Sequence, residues 1–418
     1  MQFNFRESSM DVAPILSALR RHKVAVSLIV LEIALSCAII CNLLFLIHER
    51  IQRLQIDSGL AETELVRIQA ASARQLEGGE EGIDRTVSLE YLNAMRSLPG
   101  VSGAALATQV PFGNSSSTSS VRLTPDQKDE SLTASVYLDG GNLLDVFGSR
   151  LIAGRLFTPD EYRDLETIEG TDADQGVPAV ILNRKMAERL FPGQNAVGQS
   201  IYSWGSQPTR VVGVVDELLR PNGFAEGAYT MILPVRKYTP GMHLVVRTTP
   251  ERRAEVLQAG VAALKAMDPG ITIFASDTMS EMRSSYFRQD RAMAIMLSVV
   301  VLGLLVVTAL GIVGLASFWV QQRTRQIGIR RALGARRVDV LRYFQTENFL
   351  ITTAGIVIGM LLAYALNLAL MQAYELPRLP LQFLPVGALI LWLLGQIAVL
   401  GPARRASRVS PAVATRGR

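Results

Sequence analysis

Apolar positions in this chain gather into four long runs, and the polar stretches between them differ in character. Residues 24–47 hold one charge, Glu32, and residues 292–320, 349–371 and 383–400 hold none. A helix rises 1.5 Å per residue, so about 20 residues cross the ~30 Å hydrocarbon layer of a bilayer. Runs of 24, 29 and 23 residues exceed that length, and the fourth, of 18, just meets it. Pro385 falls in the first turn of the fourth run, where proline is tolerated. Four transmembrane helices are predicted, the second long enough to tilt or project. A cleavable leader fits the first run poorly, although Arg20, Arg21 and Lys23 precede it, because the run continues ten residues past Cys37.

The stretch between the first and second runs mixes both periods. Val66, Ile68 and Ala70 alternate with Arg67 and Gln69, as in a strand. Ser88 is placed to cap a helix running to Leu98, with Pro99-Gly100 as its stop. Strands are expected over 101–110, 119–123, 133–138, 178–182, 211–215, 231–235, 244–247 and 271–274, with helices up to Leu190 and from Pro250 to Met267. Residues 159–176 are acidic and read as a mobile surface loop. The fold class that follows is a membrane protein with four transmembrane α-helices, one plus three. A large α+β extracytoplasmic domain is inserted between the first and second, with helices on one face of an antiparallel sheet.

Composition and charge sharpen this layout. The 418 residues are 49% hydrophobic and 19% charged, which excludes a disordered chain. Two cysteines exclude a disulfide framework. The net charge of +5 becomes informative once divided: residues 49–290 carry a net −7, and the remainder carries +12. Basic residues in short loops stay on the cytoplasmic side. Arg6, Arg20, Arg21 and Lys23, then the arginines of 321–348, then Arg404, Arg405, Arg408, Arg416 and Arg418 agree on one topology. Its segments are a cytoplasmic 1–23, helix 24–48, an external domain 49–290 with two subdomains, and helix 291–320. A cytoplasmic loop 321–348, helix 349–373, short external loop 374–382, helix 383–400 and cytoplasmic tail 401–418 complete it.

Candidate chemistry is sparse. Ser115 to Ser120 lack the setting of a nucleophile elbow, and Asp172 and Asp174 lack that of a calcium loop. His22, His48 and His243 are too far apart for local metal-ligand spacing, and no catalytic constellation is found. No Gly-x-x-x-x-Gly-Lys-Ser/Thr loop occurs, so this chain is not expected to be an enzyme or to bind ATP itself. Cys37 and Cys41 share one helix face, for packing or lipid exposure, with S-acylation as the alternative. Glu32 is costly in lipid and should face protein or lie near an interface, with a proton or ion route as the alternative. Gly355 and Gly359 form a small-xxx-small pair suited to close helix packing, within the chain or across a dimer. Glu32, Asn42 and Asn367 are too few polar groups for an aqueous channel.

The loop before the third run holds seven arginines, and its one acid up to Tyr343 is Asp339. Anionic lipid contact accounts for the charge. The interspersed Ile327, Ile329 and Leu333, followed by Gly334, suggest instead an amphipathic helix and a stop. A second helix with Val338, Leu341 and Phe344 on one side would follow. Such a helix can seat in a partner's groove, with apolar anchors and an arginine rim. Both readings fit the residues.

Several stretches together resemble the MacB/FtsX-type permeases of ABC transporters, the mechanotransmission class. They are Arg323-Thr-Arg-Gln-Ile-Gly-Ile-Arg-Arg-Ala-Leu-Gly-Ala335 and the tail Pro402-Ala-Arg-Arg-Ala-Ser-Arg-Val-Ser-Pro-Ala412. In the inserted domain they are Asn142-Leu-Leu-Asp-Val-Phe-Gly148, Ala153-Gly-Arg155, Val180-Ile-Leu-Asn183, Ala187-Glu-Arg-Leu-Phe-Pro192, Val197-Gly198 and residues 211–215, in the order of a MacB-like periplasmic core domain. The sequence departs from the family at Gln326, where Glu is usual, and at Pro411-Ala-Val-Ala-Thr-Arg416. The resemblance implies a bacterial inner-membrane permease driven by a separate cytoplasmic ABC ATPase dimer, which would bind ATP and Mg. Arg323, Arg325, Gln326, Ile327, Gly328, Arg330, Arg331, Leu333, Gly334 and Ala335 would contact that ATPase. A second permease chain, identical or different, is implied as partner, with a periplasmic adaptor, an outer-membrane channel and membrane lipids, and no nucleic acid. Efflux of a periplasmic substrate is the leading expectation. Lipoprotein release, control of a cell-wall hydrolase and an ATP-independent receptor or scaffold stay open.

Overall fold

A computed structural model describes residues 23–76, 85–114, 116–169, 176–204, 207–222, 228–374 and 378–409. Arg6, Arg20, Arg21, Ser115, Asp172, Asp174 and the 411–416 ending lie outside the described residues. The chain divides into two compact units, residues 55–289 and the two flanking segments together.

The flanking segments form a bundle. Among the described residues, four helices are long and apolar enough to cross a membrane: Lys23–Leu54, Arg288–Gln322, Arg337–Ala369 within the longer Arg337–Tyr374, and Phe383–Ser407. The first and third lie in close contact because two glycines remove the side chains that would separate them. A Cβ on Gly355 would sit 2.7 Å from the Ile33 side chain, and one on Gly359 would sit 2.5 Å from that of Cys37 and 2.7 Å from the Ala34 carbonyl. The small-xxx-small pair is thus spent inside the chain. Cys41 meets Gly387 of the fourth helix in the same way. Both cysteines are wholly buried, which leaves no thiol surface for S-acylation.

The second membrane helix is less enclosed. Of its 35 residues, Val301, Thr308, Ile312, Ala316 and Trp319 are buried. Thr308 shares a 2.8 Å hydroxyl hydrogen bond with Ser36, and the Glu32 carboxylate lies against Gly311, so it faces protein.

Among the described residues, the inserted unit holds two larger sheets and a two-stranded pair of Arg163–Asp164 with Val235–Arg236. The first is antiparallel throughout, in spatial order Thr272–Thr278, Leu65–Ala71, His243–Thr248, Val101–Ala107. Val66, Ile68 and Ala70 turn to one face and are covered by helices Arg85–Arg96 and Arg253–Met267. Gly260 lets the second of these approach, since a Cβ there would lie 2.8 Å from Ile68. Ser88 is not a cap. The helix begins at Arg85, and Ser88 is buried within it, accepting a 3.0 Å hydrogen bond from Gln75.

The second sheet corrects the expectation of antiparallel pairing alone. Its order is Thr118–Val121, Leu132–Leu138, Thr230–Leu233, Ala179–Asn183, Thr209–Val215, Leu151–Gly154. Leu132–Leu138 pairs parallel with Thr230–Leu233, and so does Ala179–Asn183 with Thr209–Val215. The second parallel pair follows from its connection: Asn183 caps helix Arg184–Leu190, accepting from the Met186 amide at 3.0 Å, and the chain crosses over before returning. Pro234, which has no N–H to give a ladder, separates Thr230–Leu233 from the short Val235–Arg236.

The described part of 159–176 is tied to the domain by hydrogen bonds and by two buried side chains. Thr158 and Glu161 form a capping box, and Glu161 also takes two hydrogen bonds from Arg155, at 2.8 and 2.6 Å. That guanidinium holds the Glu161 carboxyl down at about 2. Leu165 and Ile168 then anchor the segment in the core of this sheet.

Candidate docking site

The arginine-rich loop folds as one short helix between two long ones. The second membrane helix ends at Gln322, and the chain restarts as helix Thr324–Ala332. Gly334 stops it with a φ of +104°, a value that disfavours side chains. Its N–H reaches the Arg331 carbonyl at 3.2 Å, and the Ala335 N–H reaches that of Arg330 at 3.1 Å. These two bonds are the Schellman arrangement that satisfies terminal carbonyls. The second helix expected after the glycine is present but runs on without a break into the third membrane helix: Arg337–Tyr374 is one helix, started by Asp339, whose carboxylate accepts the Arg336 N–H at 2.9 Å.

The helix has two faces, and they divide the predicted residues. Ile327 is buried with Val340, Phe344, Ala403 and Ala406, on the ends of the third and fourth membrane helices, and Gly328 is buried too. Arg323 donates to both oxygens of Glu347, at 2.9 and 3.0 Å. Arg331 donates to the carbonyls of Ser407 and Val409, at 2.8 and 3.1 Å, and so closes the end of the fourth helix. Arg325, Gln326, Ile329, Arg330, Leu333 and Gly334 are exposed, and Ala335 is half-buried. Ile327 and Ile329 cannot share a face, because two residues turn a helix by about 200°. Ile329 and Leu333, four apart, do share one. Likewise Val340 and Phe344 turn inward while Val338 is exposed.

The outer face therefore combines Ile329 and Leu333, the latter 81% exposed, with Gln326 and Arg330, whose guanidinium lies over the Tyr343 ring. Exposed Arg325, Arg336, Arg337, Arg342, Arg404 and Arg405 belong to the same loop and helix ends. An apolar centre with a cationic rim suits an acidic-edged groove. Sequence reasoning missed Glu347. Its signal was an acid two residues before an uncharged run, at an arginine-rich helix end.

Four membrane-crossing helices with an α+β domain inserted after the first define a multi-pass membrane protein. The chain belongs to the MacB/FtsX permease family of ABC transporters: the family model for the MacB-like periplasmic core domain matches residues 33–264, and that for the FtsX-like permease C-terminal matches residues 298–411. The resemblance read from the 323–335 and 402–412 motifs is thereby confirmed. Relatives include the macrolide export ATP-binding/permease protein MacB of Chromobacterium violaceum, 28% identical over 67% of this chain and 43% of the relative. The MacB protein of Neisseria gonorrhoeae is 28% identical over 63% of this chain and 39% of its own length. This chain thus spans less than half the length of these relatives. A crystal structure of the periplasmic region of MacB from Actinobacillus actinomycetemcomitans aligns with 56% of this chain and 97% of that one, at 16% identity and a TM-score of 0.34.

Proposed function

We propose that this chain is the force-transmitting permease subunit of an ABC transporter in a bacterial inner membrane. Both termini and the 321–348 loop lie in the cytoplasm, and the inserted domain lies in the periplasm. A separate ATPase dimer holds ATP and Mg, docks against the Thr324–Ala332 helix, and drives two permease chains. The periplasmic domains then move a substrate outward, with an adaptor and an outer-membrane channel as further partners. The relatives' name, macrolide export, supports efflux as the direction.

The observation that carries this reading is Leu333, an apolar side chain left 81% exposed at the tip of a helix whose other face is fixed to two membrane helices. The bundle interior supports force transmission over passage between the helices. Asn42 bonds the Ala38 and Ala363 carbonyls, at 2.9 and 3.1 Å, and Asn367 takes the Leu379 N–H at 2.8 Å, so these polar groups are used for packing.

Leu333→Asp tests it. A buried anchor is worth about 2 kcal/mol or more, so the variant should insert normally but recover at least ~30-fold less ATPase on co-purification. Undiminished recovery would remove the docking role.

A further inference from the structure

The docking helix continues the second membrane helix in sequence, yet its side chains are held by the third and fourth. Arg323 stands at the junction. Its side chain is 12% exposed and that of its partner Glu347 is 1% exposed. Ile327 is packed among residues of the third and fourth helices, and Arg331 is bonded to backbone carbonyls at the end of the fourth. Toward the second helix the described contacts are near in sequence. Val320 packs at the edge of the Ile327 cluster, and the Arg323 N–H reaches the Trp319 carbonyl at 3.0 Å. Thr324 Oγ1 reaches the carbonyls of Val320 at 2.8 Å and Gln321 at 2.9 Å, and the Arg323 guanidinium lies over the Trp319 ring. Trp319 Nε1 of the second helix is buried without a hydrogen-bond partner, as are Asn348 Nδ2 and Thr352 Oγ1 of the third, which lie beside Gly395 of the fourth.

We infer that Arg323 and Glu347, with Arg331, clamp the docking helix to the third and fourth membrane helices, so that it moves with them and not with the second helix it continues. Glu347 is a positioning residue: its side chain is buried and acts by holding Arg323. A buried ion pair resists partial opening, because a displaced partner leaves an uncompensated charge behind. Force received at Leu333 passes into the third helix, and from it through the Gly355 and Gly359 contacts into the first. The direction of force rests on the proposed function, whereas the clamp does not.

Hydrogen exchange on the full chain in lipid nanodiscs reads the clamp without any ATPase. Glu347→Gln and Arg323→Gln should each speed exchange over residues 324–334 by about tenfold or more, with 300–320 unchanged. Arg323→Met combined with Glu347→Leu should return the protection, because no charge is then left unpaired. Single variants as protected as the native chain overturn the inference. So does opening that spreads equally into 300–320, or a double variant as open as the singles. Leu333→Asp should leave the exchange of 324–334 unchanged while losing the ATPase, so a failure of docking and a failure of the clamp give different results.

Discussion

His243 occupies a central strand of the first sheet, 7% exposed, with Nδ1 unpartnered and the Arg67 charge close by. Loss of water, and then that charge, lowers its pKa from 6.5 to about 4. The unfolded chain takes up this proton near 6.5, while the folded domain refuses it until about 4. Stability from this group is therefore complete above 6.5 and is lost as the pH falls toward 4. Asp139 works in the opposite sense. Burial raises its carboxyl despite amide bonds from Gly141 and Leu143, so its contribution is present at low pH and lost as the pH rises. His243→Gln should remove on the order of 2 kcal/mol of the acid-induced loss between pH 6.5 and 4. Thermal unfolding of the full chain across that range measures it, and an unchanged slope would refute the assignment.

Helix crossings and strand pairings set what each element can tolerate. At the first-to-third crossing, a Cβ on Gly359 meets the Ala34 backbone at 2.7 Å, which cannot turn aside as a side chain would. Gly359→Ala should cost about 1–3 kcal/mol in detergent unfolding. Gly303, with nothing within 4 Å of a Cβ, should gain slightly from alanine through helix propensity. Equal effects at both positions would mean the crossing is not close. The membrane helices were legible because composition alone marks them, and strand Leu65–Ala71 because alternation does. The parallel pairing of Ala179–Asn183 with Thr209–Val215 was not, since period 2 is blind to direction. Nor was the inward turn of Ile327: which side of a nine-residue helix is buried depends on Val340 and Ala403, remote in sequence.

For the whole molecule, the charge division and the apolar runs make a joint claim about sidedness. Residues 49–290 carry net −7 and the rest +12, and the arginines of the candidate docking site sit at one end of the second, third and fourth helices. If those arginines face the cytoplasm, an odd number of crossings puts the inserted domain on the other side. Labelling intact spheroplasts with an impermeant maleimide decides this. Cys37 and Cys41 are fully buried, so the native chain should give little background, and replacing both by alanine removes it. Lys128→Cys, on an exposed turn of the inserted domain, should then react from outside. Gln326→Cys, exposed on the Thr324–Ala332 helix, should react only after the membrane is opened. The reverse pattern would invert the topology and take the ATPase-docking role with it, because a helix facing the periplasm cannot meet ATP-driven machinery. Reaction of both from outside would mean that the bundle does not seal the two faces from each other.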